Sequence, residues 1–276
     1  MGSVFALMAV GFSLIWGVVR IINLTQGELV MLGGFITYWA TTTLGWNPFV
    51  ALPLAAALLF LLGYGIQRGI IDRATHTSLF MTLLITFGLS IAIRQLGIQL
   101  WTANIRTVTP PFSGVSLQVG GIVISVVKLI TFGAALLLTA LTWALLTYTR
   151  VGFAIRATAQ NPQAAALVGV NLSRVYALTF GLSAAVAGAA GVLISMIWPL
   201  FPHMGVPLTI RSFIIVILGG LGSIPGALLG GLSLGVVESY GAYLLGISLQ
   251  EALAFGLLVL ILLLRPRGLF GWGLQG

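Results

Sequence analysis

The chain has no cysteine, one lysine, one aspartate and two histidines among 276 residues, and only 6% of its residues are charged. Without cysteine there are no disulfides, thiolate metal sites or cysteine nucleophiles. The single aspartate and two histidines leave almost nothing for hydrolytic or metal chemistry. The only lysine lies in Val127-Lys128-Leu129, not at the end of a glycine-rich run followed by Ser or Thr, so no P-loop is present to hold nucleotide phosphates. No His/Cys cluster, paired carboxylate or Ser–His–Asp arrangement is evident, which argues against an enzyme. No basic segment precedes the first apolar run and no small-residue cleavage site follows it, so no signal peptide is expected.

Apolar side chains and glycine are abundant instead: 59% of residues are hydrophobic and 36 are glycine. Such a chain reads as an all-α, polytopic integral membrane protein forming one domain over 1–276. The apolar runs place spans near 4–19, 27–44, 48–66, 79–100, 129–147, 175–197, 208–222, 226–244 and 250–264. The net charge of +8 does not mark a nucleic-acid face, because the basic residues are dispersed. They read as orientation signals. Arg20, Arg68, Arg73, Arg150, Arg156, Arg174, Arg265 and Arg267 fall in alternate loops and at the C-terminus, against Arg106 and Arg211 on the other side. This places the first group in the cytoplasm and predicts eight to nine spans. Counting the short run that ends at Gly222 gives nine, with the N-terminus outside and the C-terminus cytoplasmic. Trp39, Trp46, Trp101, Trp143 and Trp198 lie near span ends, the interfacial position. The external segment 101–121 is punctuated by Pro and Gly, and its Thr/Val alternation suits a short strand or an extended loop. Lys128 is expected to snorkel to the outer surface from the start of the fifth span.

The longest polar interruption is TRVGFAIRATAQNPQAAALVGVNLSR, residues 149–174. Asn161 offers a capping oxygen and Pro162 a preset first turn. The residues from Gln163 to Val168 are mostly helix formers, and Gly169 can take a left-handed stop. The spacing predicts a helix of about two turns, roughly 10 Å long, on a basic cytoplasmic loop. It is too short to be stable alone, so its loop or a partner must hold it. A surface loop that happens to be helical is the competing reading.

Small residues mark helix–helix faces in lipid. Gly181, Ala184, Gly188 and Gly191 stripe the sixth span, and Gly226, Gly230, Gly231 and Gly235 the eighth. GGLGSIPGALLGG, which contains Gly220 and Gly222, reads as a tight cytoplasmic turn between two packed helices, with a pathway-lining helix break as the alternative. Among the acids, Thr25-x-x-Glu28 and Ser248-x-x-Glu251 fit capping boxes, with a substrate or ion role as the alternative for each, and Asp72 follows Arg68 at ion-pair spacing. Glu238 falls mid-span, three and seven residues after Gly235 and Gly231, on the small-residue face. An intramembrane carboxylate there is a functional candidate or a hydrogen-bonded structural group. Arg94, deep in the fourth span, can pair with Glu238, snorkel outward or line a pathway. These features leave a permease subunit driven by a separate ATPase, a secondary transporter or a passive channel. A secondary transporter needs mid-membrane ion-coupling carboxylates and inverted repeats; Glu238 alone qualifies and no internal repeat is convincing.

Several separated stretches, spread over nearly the whole chain, resemble the LivH-type permeases of branched-chain amino acid ABC transporters. GFSLIWGVVRIINLTQGELVMLGGF (Gly11 to Phe35) is similar to that family's first-to-second-span signature, with Thr25 and Gln26 where the family usually has Ala-His. TRVGFAIRATAQNPQAAALVGVN resembles its cytoplasmic coupling region, with Gln163 in place of the usual glutamate. VILGGLGSIPGALLGGLSLGVVES and LLLRPRGLFG resemble its C-terminal signatures. The family usually carries more chain before the first span, so a shortened N-terminus is expected.

The resemblance implies one of two membrane subunits of an importer in the cytoplasmic (inner) membrane of a prokaryote. A related second permease, two cytoplasmic ATPases and an extracytoplasmic solute-binding protein would complete it. ATP would be used by the partners, with no cofactor bound by this chain. The coupling residues would be Gly152, Arg156, Asn161, Pro162, Gln163, Ala164, Ala165, Leu167 and Gly169. Ala164, Ala165, Leu167 and Val168 would supply the apolar contact, with Arg150, Arg156 and Arg174 around it. Gly188, Gly220, Gly222, Gly226, Gly230, Gly231 and Gly235 would pack helices. A hydrophobic amino acid is zwitterionic, so its path needs a few polar groups among small residues. Asn23, Gln26, Ser90, Arg94, Ser183 and Glu238 are the candidates, with capping and inter-helical hydrogen bonds as the alternative for each. Urea or short amides are the nearest competing substrate class.

Overall fold

In the computed structural model, residues 1–73, 79–119, 122–246, 250–265 and 268 are described. Their helices are α1 (Gly2–Val19), α2 (Gln26–Thr43), α3 (Ala51–Ile66, continued by a π turn, Gln67–Ile71), α4 (Leu79–Trp101) and α5 (Val126–Tyr148). Then come α6 (Arg150–Gln160), α7 (Pro162–Leu167), α8 (Leu172–Ser195), α9 (Gly205–Gly219), α10 (Ile224–Leu245) and α11 (Gln250–Leu264). A two-stranded antiparallel hairpin, β1 (Ser116–Val119) and β2 (Ile122–Ser125), precedes α5 and pairs Ser116 with Ser125. The polytopic all-α class follows directly; the Thr/Val alternation at Thr107–Thr109 is an extended loop, and the strands lie further along the chain.

Seven helical segments among the described residues are long and apolar enough to cross a membrane: Gly2–Val19, Ala51–Ile71, Leu79–Trp101, Val126–Tyr148, Leu172–Ser195, Pro202–Gly219 and Ile224–Leu244. Ala252–Leu264 is apolar but shorter. The expected span near 27–44 is not among them. Gln26, Glu28 and the threonines of α2 lower its apolarity, and the helix tolerates them because most of it is buried within the bundle.

Glycine sets how closely these helices approach. Added Cβ atoms would fall 2.0 Å from the Val30 carbonyl at Gly191, 2.3 Å from the Gly188 carbonyl at Gly33, and 2.5 Å from the Leu59 side chain at Gly188. α8 is thereby gripped between α2 and α3. Gly231 meets Ala6 and Gly235 meets Gly2, so α10 runs antiparallel to α1 with backbones in contact. Dispersion in such contacts replaces the hydrophobic drive that lipid cannot supply.

The same contacts give the molecule two ends. Gly17 meets Gly222, Val18 packs with Val175 and Ile155, Asp72 meets Ser173, and Gly268 abuts Gly220. Arg20, Arg68, Arg73, Arg150, Arg156, Arg174 and Arg265 belong to the helix ends and turns on this basic side; Arg267 lies outside the described residues. At the opposite end, Trp101 stacks on Phe35 at 4.6 Å and meets Trp39 edge-on. Arg106 pairs its backbone with Leu200 there, beside the hairpin. GGLGSIPG is the tight turn of an α9–α10 hairpin at the basic end: Gly220 and Gly222 adopt φ of 96° and 83°, and Ser223 accepts from the Gly226 amide at 3.1 Å.

Three expectations are corrected. Residues 150–160, read as loop, form α6, whose amino end is capped by the Thr149 hydroxyl accepting from Gly152 at 3.0 Å. Arg211, counted with the free charges of the far side, is instead engaged within α9, where it pairs with Glu238. Asp72 accepts hydrogen bonds from Gln67 (2.9 Å) and Ser173 rather than serving as the ion partner of Arg68, which lies over the Tyr64 ring.

Candidate functional site

The first of three polar assemblies is a break in the helical backbone at mid-depth. α1 ends at Arg20, whose left-handed φ of 58° turns the chain back, and residues 20–25 climb into the bundle before α2 starts. That start is level with Gly11 on α1 and Ser183 on α8, both near the middle of their helices. Backbone freed at such depth must be satisfied by protein, and side chains from several helices do so. Thr86 of α4 donates to the Ile22 carbonyl at 2.9 Å, and Thr209 of α9 accepts from the Gly27 amide at 2.9 Å. The Asn23 side chain accepts from the Thr25 amide and hydroxyl, forming a local turn. Gln26 donates to the Met8 carbonyl at 3.2 Å. The Ser183 hydroxyl donates to the Gly11 carbonyl at 2.7 Å and stands 3.2 Å from the Gln26 carbonyl oxygen. Asn23, Gln26 and Ser183 are thus brought together in one buried network.

Glu28, read from sequence as half of a capping box, faces elsewhere. Thr25 makes no side-chain cap, its hydroxyl being engaged by Asn23. Glu28 is fully buried; its Oε1 accepts from the Ser90 hydroxyl at 3.2 Å, while Oε2 has no hydrogen-bond partner among the described residues. A methyl group on Gly205 would lie 2.2 Å from Oε2, so the first residue of α9 sits directly over the carboxylate. Arg94, one turn along α4 from Ser90, is half-buried and forms no ion pair with Glu28. The counterpart Ser248 lies outside the described residues, as does the side chain of Glu251.

In the second assembly Arg211 Nε and Glu238 Oε1 form a salt bridge of 3.0 Å, with side-chain exposures of 12% and 4%. The guanidinium also lies over Phe5 and Trp198, 5.7 and 5.6 Å from the ring centroids. A cavity of about 70 Å³ beside the pair is lined by Pro207, Ile210, Arg211, Ile214, Glu238, Ala254 and Phe255. This arrangement removes the Arg94–Glu238 pairing considered from sequence. Ser90 and Arg94 gather at Glu28; Glu238 belongs to a separate site.

The third assembly is segment 149–174. Asn161 accepts from the Ala164 amide at 3.0 Å and caps α7, with Pro162 in its first turn. At the other end Val170 donates to the Ala165 carbonyl at 3.0 Å while Gly169 takes φ of 88°, the left-handed termination expected. Asn171 then caps α8 through the Arg174 amide. Ile155 of α6 packs with Leu14, Val18, Leu146 and Val175, fastening the segment to α1, α5 and α8. Gly152 makes the tight α5–α6 corner, where a Cβ would meet the Leu146 carbonyl at 2.3 Å. Arg156 donates to the Thr147 carbonyl at the end of α5. Leu167 and Val168 are 89% and 81% exposed, and Ala164 and Gln163 face outward too. Ala165 does not: it is buried and anchors α7, so it cannot supply outward contact as expected.

Known proteins with similar sequences fit this architecture. Residues 1–262 match the family described as branched-chain amino acid transport system / permease component. The high-affinity branched-chain amino acid transport system permease protein BraD of Pseudomonas aeruginosa is 32% identical, over 98% of this chain and 92% of its own. The corresponding permease protein LivH of Escherichia coli is 31% identical over the same shares. A probable branched-chain amino acid transport permease protein LivH of Methanocaldococcus jannaschii is 28% identical over 98% of this chain and 89% of its own. No solved structure matches. With the family match spanning almost every residue and two relatives above 30% identity at full length, the chain belongs to the branched-chain amino acid transport permease family.

Proposed function

We propose that this chain is the membrane-spanning subunit of an ABC importer for branched-chain, hydrophobic amino acids. In this reading it lies in the cytoplasmic (inner) membrane of a prokaryote as a single permease domain with nine crossings. Its N-terminus is outside, and the basic end and C-terminus are cytoplasmic. It pairs with a related permease, receives solute from an extracytoplasmic binding protein and is driven by two ATPase subunits that bind the nucleotide.

The observation that carries this reading is α7: a helix of 6 residues, capped at both ends, presenting Leu167 and Val168 almost fully exposed on the basic side of a chain without a P-loop. Such a rigid apolar knob suits a groove on a water-soluble motor. Closure of the motor on ATP would push α6 through the Asn161 junction, and α6 would pass the displacement to α1, α5 and α8. The test is uptake in vesicles holding the full complex. Leu167→Asp puts a charge into the contact and lowers uptake by about tenfold or more, equivalent to at least ~1.4 kcal/mol at the joint, with folded protein retained in the membrane. Normal ATPase stimulation and uptake by this variant, or solute transport by the purified chain alone, would refute the proposal.

A further inference from the structure

The geometry points to Glu28, with Ser90 and Arg94 of α4, as the site in the translocation path that holds the charged head of the transported amino acid. Glu28 takes the ammonium and Arg94 the carboxylate. This inference rests on the importer reading above and adds the place and chemistry of recognition within the membrane.

An unpartnered carboxylate oxygen at this depth is costly, and polar groups kept inside a membrane at such cost belong to functional sites by default. The surrounding polar groups are spoken for: Asn23, Gln26, Thr86, Ser183 and Thr209 each satisfy the broken backbone or one another. Glu28 is the exception. Ser90 occupies one oxygen and leaves Oε2 open to a donor. Among the described residues that oxygen has no donor, and Arg94, one turn from Ser90, carries a positive charge on the same face of α4. An ammonium group is a donor of the right sign for Oε2. Ser90 and Arg94 are four residues apart on α4, about 6 Å along the helix, a span that lets one zwitterion address acid and base together.

A helix break lies here: α2 starts two residues before Glu28, and the helix over Pro202–Gly219 passes from its 3-10 turn into α9 at Gly205, against the carboxylate. Helix breaks at mid-depth are where membrane transporters hold small charged solutes. In the form described, Gly205 covers the carboxylate, so the solute enters only when the start of α9 draws away from α2. A side chain at position 205 would keep the two apart, which accounts for glycine there.

The experiment uses the complete transporter in vesicles with leucine as the probe, comparing wild type with Glu28→Gln and following leucine uptake and ATP hydrolysis together. Glu28→Gln keeps the shape and the Ser90 contact but loses the charge. The expected result is hydrolysis still stimulated by loaded binding protein while uptake falls at least tenfold, so that ATP spent per leucine rises by the same factor. A parallel fall in hydrolysis and uptake indicates a structural role and overturns the inference, as does unchanged uptake. If Glu28→Gln does not assemble, Glu28→Asp, which retains the charge but withdraws it, decides the matter by the same ratio. Wild type that moves no leucine at all defeats the importer reading itself, a different outcome from the failure of Glu28.

Discussion

The Arg211–Glu238 pair makes a sharp prediction about stability. Glu238→Gln removes the acid and leaves a guanidinium whose side chain is 12% exposed. Arg211 has little freedom to escape to water, because Phe5 and Trp198 hold it from two sides at 5.7 and 5.6 Å. Orphaning one member of a buried pair costs about 3–5 kcal/mol, while replacing both by apolar residues of similar volume is near neutral. Glu238→Gln is therefore expected to destabilise the fold by about 3 kcal/mol. At 1.4 kcal/mol per decade this changes the folded-to-unfolded ratio by more than about a hundredfold. The double variant Arg211→Met, Glu238→Leu should recover most of that loss and retain uptake. Equilibrium unfolding of the purified subunit in mixed micelles, with wild type, Glu238→Gln, the singles Arg211→Met and Glu238→Leu, and their double, measures the coupling. A single-variant loss under about 1 kcal/mol, or a double-variant loss equal to the sum of the singles, would refute the account of the pair as a mutually neutralising structural clasp.

Gly191→Ala places a methyl group 2.0 Å from the Val30 carbonyl, where ordinary contact begins at 3.4 Å. α2 and α8 must part by more than an ångström, and a loss of about 1–3 kcal/mol is expected in the same unfolding assay. Gly152→Ala meets the Leu146 and Leu145 carbonyls at 2.3 and 2.5 Å and opens the α5–α6 corner; pull-down of the ATPase should weaken while the α1–α10 contact, followed by cross-linking, persists. Ser183→Ala removes the hydroxyl that donates to Gly11, and a loss of about 1 kcal/mol in unfolding is expected.

The sequence was most readable where the governing physics is local. The Asn161 cap, Pro162 and Gly169 mark α7 because each acts within a turn of its own position, and the structure places all three as their chemistry requires. The glycine stripes of α8 and α10 were readable for a related reason: a run of small residues at helical spacing has few uses in lipid other than close packing. What was not readable depended on competition or on distance. Thr25-x-x-Glu28 matches a capping box, but Asn23, two residues earlier, engages Thr25 and frees Glu28 to face α4 and α9, a choice no short motif encodes. Arg211 sits at the edge of an apolar run and so resembles a loop charge. Its partner lies 27 residues away on the next helix, and only the α9–α10 hairpin brings them together. α6 escaped notice because its charged face dominates a short amphipathic segment, although Thr149 was present as a cap.

The placement of α1 and α8 gives the proposed push at the basic end a route to the proposed site at mid-depth. Both helices enter the cluster around Ile155 at the basic end, through Leu14 and Val18 of α1 and Val175 of α8. The same two helices meet again at Gly11 and Ser183, where they hold Gln26 at the start of α2. From Val175 to Ser183 is about 12 Å of helix, stiff over that length and gripped by α3 on its far side through Gly181 and Gly188. A displacement of α6 therefore has little slack in which to dissipate before it acts on Gln26. Gln26 lies two residues from Glu28, and Gly27 is bonded to Thr209, four residues into α9. Moving the start of α2 strains that bond, the tie that keeps Gly205 over the carboxylate. The break after Arg20 is what the proposed transmission requires, since a helix continuous from α1 into α2 would have no free end at mid-depth to be moved.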